Sequence, residues 1–287
     1  MPTLDPATSV GRVALTVADL ARARTFYERV VGLRAPAHDG ERASLRPAAG
    51  GPPLVELLGD ADAPTPPASG CGLFHLALLL PSRLELARAL RRIVASGWPL
   101  SGASDHLVSE ALYLSDPEGN GIEIYHDRPR EEWRRRDGEL EMATLPLDLQ
   151  ELAGELRGGE ATDAGMTDAR MGHVHLRVAD LAAAERFYAD ALGFEVTVRS
   201  YPGALFVAAG GYHHHVGLNT WSSAGGPPRP PGTRGLHHVE LLTPRPREVA
   251  ERAAAAGYAT REWDDGALVT DPFGNDVLLS APPPNGG

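Results

Sequence analysis

Two segments of the chain are copies of one another. GRVALTVADLARARTFYERVVGL (Gly11 to Leu33) and GHVHLRVADLAAAERFYADALGF (Gly172 to Phe194) match without a gap at about half of their positions. Each copy reads as a strand with alternating apolar residues, then Asp19 or Asp180 as a helix N-cap, then an amphipathic helix closed by Gly32 or Gly193. A second pair, GLFHLALLLP (Gly72 to Pro81) and GLHHVELLTP (Gly235 to Pro244), is also mutually alike, and each member leads to a DPxGN turn, at Asp116 and at Asp271. This pattern dictates an α+β protein of four modules, each a strand, a helix and further strands, arranged as two tandem pairs.

The most informative stretch chemically is EALYLSDPEGNGIEIYHDR (Glu110 to Arg128). Asp116-Pro117 and Gly119-Asn120 are turn formers, and the flanking residues alternate as a half-buried strand requires. Glu123 therefore points away from the face of Ile122 and Ile124, either as a solvated edge residue or as the acidic ligand of a metal. In His173-Val174-His175-Leu176-Arg177-Val178 the same alternation leaves His173, His175 and Arg177 toward a cavity, while Phe74, Leu76 and Leu78 are expected to cover the helix side next to His75.

Composition narrows the class. With 287 residues and 43% hydrophobic content the chain can bury two ordinary cores. No run approaches a membrane span, and MPTLDPATSV lacks the regions of a signal peptide, so a cytoplasmic location is expected. The single cysteine, Cys71, fits a reducing compartment and reads as a small residue at a strand start. A net charge of -11 disfavours nucleic acid, whose phosphates it would repel. Between the pairs, the spacing predicts a short helix around Leu147 to Leu156, then a flexible Gly-, Ala- and Asp-rich tether. ADAPTPPASG (Ala61 to Gly70) and SSAGGPPRPPGTRG (Ser222 to Gly235) read as exposed polyproline loops, the second expected over the active site.

DHLVSEALYLSDPEGNGIEIYHDRPR (Asp105 to Arg130) and GGYHHHVGLNTW (Gly210 to Trp221), together with the repeats, resemble the vicinal oxygen chelate superfamily of glyoxalase I, bleomycin resistance proteins and extradiol dioxygenases, and within it the two-domain catechol 2,3-dioxygenases of bacilli. The resemblance implies four βαβββ modules in two tandem domains, at 9–127 and 171–281, with a linker at 128–170. It also implies a two-histidine, one-carboxylate triad, which leaves open positions on Fe(II), or Mn(II), for a catecholate and O2. At the family's ligand positions module one has Arg12, module two has His75 and Glu123, module three has His173, and module four has His238 with Val277 at the acidic position. Neither tandem pair holds a complete triad. His75, Glu123 and His173 are therefore the expected metal ligands, with the cavity between modules two and three and module one pairing module four. His175 is expected beside the metal without ligating it, and His238 as a relic or a buried hydrogen-bonding residue.

Extradiol chemistry also moves protons off and onto the substrate, so a base and an acid must stand over the ring. By the family's register His214 takes that role, with His215 as the alternative, Tyr113 bonds the substrate oxygen and His106 is a further pocket donor. The implied substrates are a small aromatic diol and O2, and the implied assembly is a homo-oligomer. Two rival readings stay open: another metal-dependent glyoxalase-like enzyme, for which Glu56 would have to serve as a second carboxylate, and a metal-free binding protein of the resistance type.

Overall fold

The computed structural model describes residues 3–36, 39–156, 165–264 and 266–283. The chain packs as two compact units, one of Leu15–Ala63 and His75–Gly172, the other of Met1–Ala14, Pro64–Phe74 and His173–Gly287. Three of the four boundaries fall inside strands, β1 (Ser9–Val17), β4 (Gly72–Leu80) and β11 (Arg170–Arg177), and the fourth, between Ala63 and Pro64, lies in a loop.

The first unit contains α1 (Leu20–Phe26), β2 (Arg42–Leu45), β3 (Val55–Gly59), α2 (Arg83–Ser96), β5 (Gly102–Asp105), β6 (Ser109–Ser115), β7 (Gly121–Asp127), the two-residue strands β8 (Arg135–Arg136), β9 (Glu139–Leu140) and β10 (Leu145–Pro146), and α3 (Leu149–Gly154). Its strands run β10-β5-β6-β7-β4, with β7 parallel to β4 and antiparallel to β6, and β2 pairs antiparallel with β3. In module one the strand between α1 and β2 is reduced, among the described residues, to a minimal pairing. Where a strand would lie between α1 and β2 there is a single bridge, Arg34 to Arg46, in a stretch where Pro36 has no N–H to give a ladder.

The second unit contains α4 (Leu181–Glu185), β12 (Glu195–Val198), β13 (Ala204–Ala208), β14 (Val216–Asn219), β15 (Gly235–Leu242), α5 (Pro246–Ala255), β16 (Thr260–Trp263), β17 (Gly266–Thr270) and β18 (Asp276–Ser280). Its strands run β11-β14-β13-β12 and β16-β17-β18-β15.

The two repeated motifs turn out to be physical partners. Asp19 and Asp180 cap their helices by accepting from Arg22 N at 2.9 Å and Ala183 N at 2.6 Å. Each helix then passes into a π-helical turn, Tyr27–Val31 and Arg186–Ala191. The widened turn leaves carbonyls outside the ordinary ladder. An arginine of the following module takes them: Arg92 donates to Val30 O and Val31 O, and Arg252 to Ala191 O and Leu192 O. The tyrosine of each copy reaches the DPxGN aspartate, Tyr27 donating to Asp116 Oδ2 at 3.4 Å and Tyr188 to Asp271 Oδ2 at 3.0 Å. Oδ1 of each aspartate accepts the backbone N–H groups of its own turn, from Glu118 and Asn120 or from Phe273 and Asn275.

Burial pushes the Asp271 carboxyl up to about 6 even though four donors surround it. Because the folded value lies above the ordinary one, the protonated group favours the folded state. That contribution is full below about pH 4 and is lost as pH rises through about 6. The stability of the native chain relative to Asp271→Asn should therefore fall between pH 4.5 and 7 in thermal unfolding. A pH-independent difference would contradict this.

The 128–170 segment is only partly a tether. β10 pairs with β5, and α3 opens at Asp148, whose side chain accepts from Gln150 N and Glu151 N. The expected flexible stretch lies largely at 157–164, outside the described residues. At its end Met166 is buried, bonded to Gly32 O and Ala48 N. No described helix is long and apolar enough to cross a membrane.

Candidate metal centre

In the parallel β4–β7 ladder His75 sits opposite Gly121 and Ala77 opposite Glu123, while β6 sets Tyr113 opposite Glu123. With a side-chain period of two, His75, Glu123 and Tyr113 share one face. Beyond them that face is apolar, with Ala77, Leu79, Ala111 and Tyr125 forming a buried cluster against which Tyr113 packs. His75 Nε2 lies 2.9 Å from Glu123 Oε2. Gly172 approaches Tyr125 so closely that a Cβ there would stand 1.8 Å from the Tyr125 hydroxyl, which fixes the backbone just before His173.

Ligand atoms of His75, Glu123 and His173 all lie within 4.8 Å of one another. The three side chains are 6%, 3% and 2% exposed, so a carboxylate and two imidazoles are held away from bulk water. The His75 to Glu123 separation matches two neighbouring ligands of one ion at bond lengths of about 2.1 Å. Two imidazole nitrogens and one carboxylate suit a non-heme Fe(II) or Mn(II) ion with positions left open.

His106 holds Tyr113. Its Nε2 lies 2.6 Å from Tyr113 Oη and its Nδ1 2.6 Å from Ala143 O. A carbonyl can only accept, so the neutral ring carries its proton on Nδ1 and takes the Tyr113 hydroxyl proton at Nε2. His106 is thus committed to Tyr113 and Ala143 rather than standing as an independent pocket donor.

The histidine tract was expected in a strand. It instead occupies the β13–β14 connection, where strand alternation does not govern it. The His214 ring lies 4.1 Å from that of His173 and 4.8 Å from Phe206, centroid to centroid. His213 and His214 share a bond between their Nδ1 atoms at 2.8 Å, so when both are neutral they hold opposite tautomers. His215 is engaged elsewhere, accepting from Ala209 N at 3.1 Å and lying beside Tyr212.

His175 lies over Gly217, where a Cβ would come within 3.0 Å of the ring. It is walled by Phe74, Phe206 and Trp221 at 5.3, 5.7 and 5.4 Å. Phe74 thus departs from its expected helix-side position: it is 39% exposed and also meets Trp221 at 5.4 Å. Gly72 enters β4 at φ 143°, so the strand alternation begins only beyond it. Sequence periodicity missed this aromatic wall because three of its members come from separate segments.

The module-four counterpart differs from the sequence expectation by one position. Val239 pairs with Val277 and Glu240 with Leu278, as Ala77 pairs with Glu123, so Leu278 rather than Val277 occupies the acidic position. No carboxylate stands at either. Arg12 forms an ion pair with Glu240 at 3.5 Å. Burial first, then the charges of His237, Arg12 and Arg261, lower His238 to about 3, so it is neutral, bonded through Nδ1 to His237 at 2.8 Å. His238→Ala should leave the metal content of the purified protein unchanged by elemental analysis. A metal-free variant would move the centre to module four. The loop 222–235 is tied to the residues flanking β11 and β4, Ser223 Oγ donating to Val178 O and Cys71 N to Pro227 O.

The model of the glyoxalase/bleomycin resistance protein/dioxygenase superfamily matches residues 9–124 and 170–279. A catechol-2,3-dioxygenase of Bacillus subtilis (strain 168) is 41% identical over 280 residues, covering 95% of this chain and 96% of that protein. Among solved structures, a putative dioxygenase from Bacillus subtilis shares the fold at TM-score 0.66 and 15% identity, covering 96% of this chain and 86% of its own. Glyoxalase I from Zea mays does so at TM-score 0.59 and 17% identity, covering 96% and 92%.

Proposed function

We propose that this chain, which belongs to the glyoxalase/bleomycin resistance protein/dioxygenase superfamily, is an extradiol dioxygenase that opens a catechol-type ring with O2 at a non-heme Fe(II) centre. The observation that carries this reading is the convergence of His75, Glu123 and His173. The catechol-2,3-dioxygenase relative, alike over nearly the whole of both chains, supports it. His75 and Glu123 come from module two and His173 from module three, and these three would hold the iron. Bound there, the ion supplies Lewis acidity and electrons for O2 while the open positions admit a vicinal diol.

The remaining work falls to the chain. Tyr113, its proton engaged by His106, accepts a hydrogen bond from a substrate hydroxyl and so orients the ring against the apolar face of Ala77, Ala111 and Tyr125. His214, packed on His173 and bonded to His213, is the acid–base residue, since a pair of imidazoles sharing one bond can take up a proton and return it. Phe74, Phe206 and Trp221 line the His175 side of the site with apolar surface.

The test is direct: iron content of the purified protein, and catechol turnover under air followed by the absorbance of the yellow ring-opened product. Stoichiometric iron with ring opening supports the reading. An iron-loaded protein that leaves every catechol offered intact overturns it.

A further inference from the structure

We propose that Arg177 and Asn219 form an oxyanion subsite that receives a carboxylate borne on the ring substituent of the substrate. The proposal deepens the dioxygenase reading and rests on it for the identity of the ring, though not for the anion.

Arg177 and Asn219 are directly paired across the parallel β11–β14 ladder, one step beyond Leu176–Leu218 and two beyond His175–Gly217. Partners in a parallel ladder point to the same side, so both share the face of His173 and His175. Asn219 is fully buried, and its Nδ2 has no hydrogen-bond partner among the described residues. Its Oδ1 is already taken, accepting from Trp221 N at 3.4 Å, which leaves the Nδ2 as the open donor of the amide. The Arg177 Nε is likewise buried without a hydrogen-bond partner, and no carboxylate among the described residues forms an ion pair with this guanidinium. Cys71 does not compensate it, because burial raises that thiol to about 11 and leaves it neutral.

A buried amide donor and a half-buried guanidinium, side by side and unsatisfied, are each costly to keep. An anionic acceptor relieves both at once. A planar carboxylate suits them, one oxygen to each donor. Arg177 lies four residues along the strand from His173, about 13 Å at 3.3 Å per residue, so the carboxylate is carried on a side chain and not on the metal-binding edge of the ring. Between the two ends stand His175, Phe74 and Trp221, an aromatic wall suited to an apolar linker.

The experiment titrates 3-phenylpropanoate and its methyl ester into the protein as purified, under argon, reading tryptophan fluorescence. Neither probe is a catechol, so binding is read without turnover. The native chain should bind the acid at least about 10-fold more tightly than the ester. Arg177→Met should lose that preference and Arg177→Lys should keep part of it. In parallel, the kcat/KM ratio of 3-(3,4-dihydroxyphenyl)propanoate to unsubstituted catechol should fall in Arg177→Met by about 10-fold or more, chiefly through KM. Equal affinity of the native chain for acid and ester, or a preference that survives in Arg177→Met, overturns the subsite. A strong acid preference in a protein that opens no catechol keeps the subsite and removes the dioxygenase reading.

Discussion

Glu123→Ala should purify as a folded protein nearly devoid of iron, with catechol ring opening abolished. Glu123 is 3% exposed and 2.9 Å from His75 Nε2, and it is the only carboxylate in the set whose ligand atoms converge within 4.8 Å. Loss of a residue that merely orients a ligand typically costs about 10- to 100-fold in metal affinity, so loss of the ligand itself should cost more than about 100-fold. The fold should persist, because Glu123 sits on the cavity face while the strand is held by the buried Ile122 and Ile124 on the other. Removing a buried carboxylate that faces a histidine can even raise the thermal midpoint of the metal-free protein. Iron content by elemental analysis, with circular dichroism on the same preparation, decides the matter. A Glu123→Ala protein carrying a full complement of iron would show that the triad is not the ligand set.

His214→Ala should keep its iron and lose turnover by about 10²- to 10⁴-fold, the usual contribution of a positioned acid–base residue. The geometry separates it from its neighbours. The His214 ring lies 4.1 Å from that of His173 at a tilt of 50°, whereas His215 is tied to Ala209 N and lies beside Tyr212. His215→Ala should therefore act through stability rather than chemistry, lowering the thermal midpoint with a smaller change in kcat. The decisive reading is iron and turnover on one His214→Ala preparation. Wild-type turnover would remove His214 from the mechanism, and loss of iron would make it part of the ligand shell.

Much of this was legible in the chain. Repetition alone established four modules, because a strand, a cap, a helix and a DPxGN turn written twice can only be built twice. Asp19 and Asp180 announced their caps, since an Asx side chain before an amphipathic run meets the orphan N–H groups of the first turn whatever lies beyond. Module position singled out His75, Glu123 and His173 as the expected ligands, and their ligand atoms lie within 4.8 Å of one another. Alternation also set Arg177 on the face of His175, a face confirmed by the partner residues of β11 and β14.

What sequence reasoning missed shares one cause: it depended on backbone that is not regular. The histidine tract was read as strand, yet it is a connection whose side-chain directions no period of two can give. Phe74 leaves the alternation of its own strand, and the acidic position of module four was misplaced by one residue because only the ladder register, Glu240 opposite Leu278, defines it. The π-helical ends of the repeated helices and the arginines that satisfy them were likewise invisible, since a one-residue widening of a turn leaves no periodic trace. The sequence by itself determined the modules, their local caps and turns, and which residue types could ligate, because these follow from interactions between residues near in the chain. Which imidazole of three meets His173, which way Tyr113 turns its proton, and that Arg177 and Asn219 stand together unsatisfied were decided only by tertiary structure. Each depends on contacts between segments distant in sequence, and their free energies exist only once the strands have found their register.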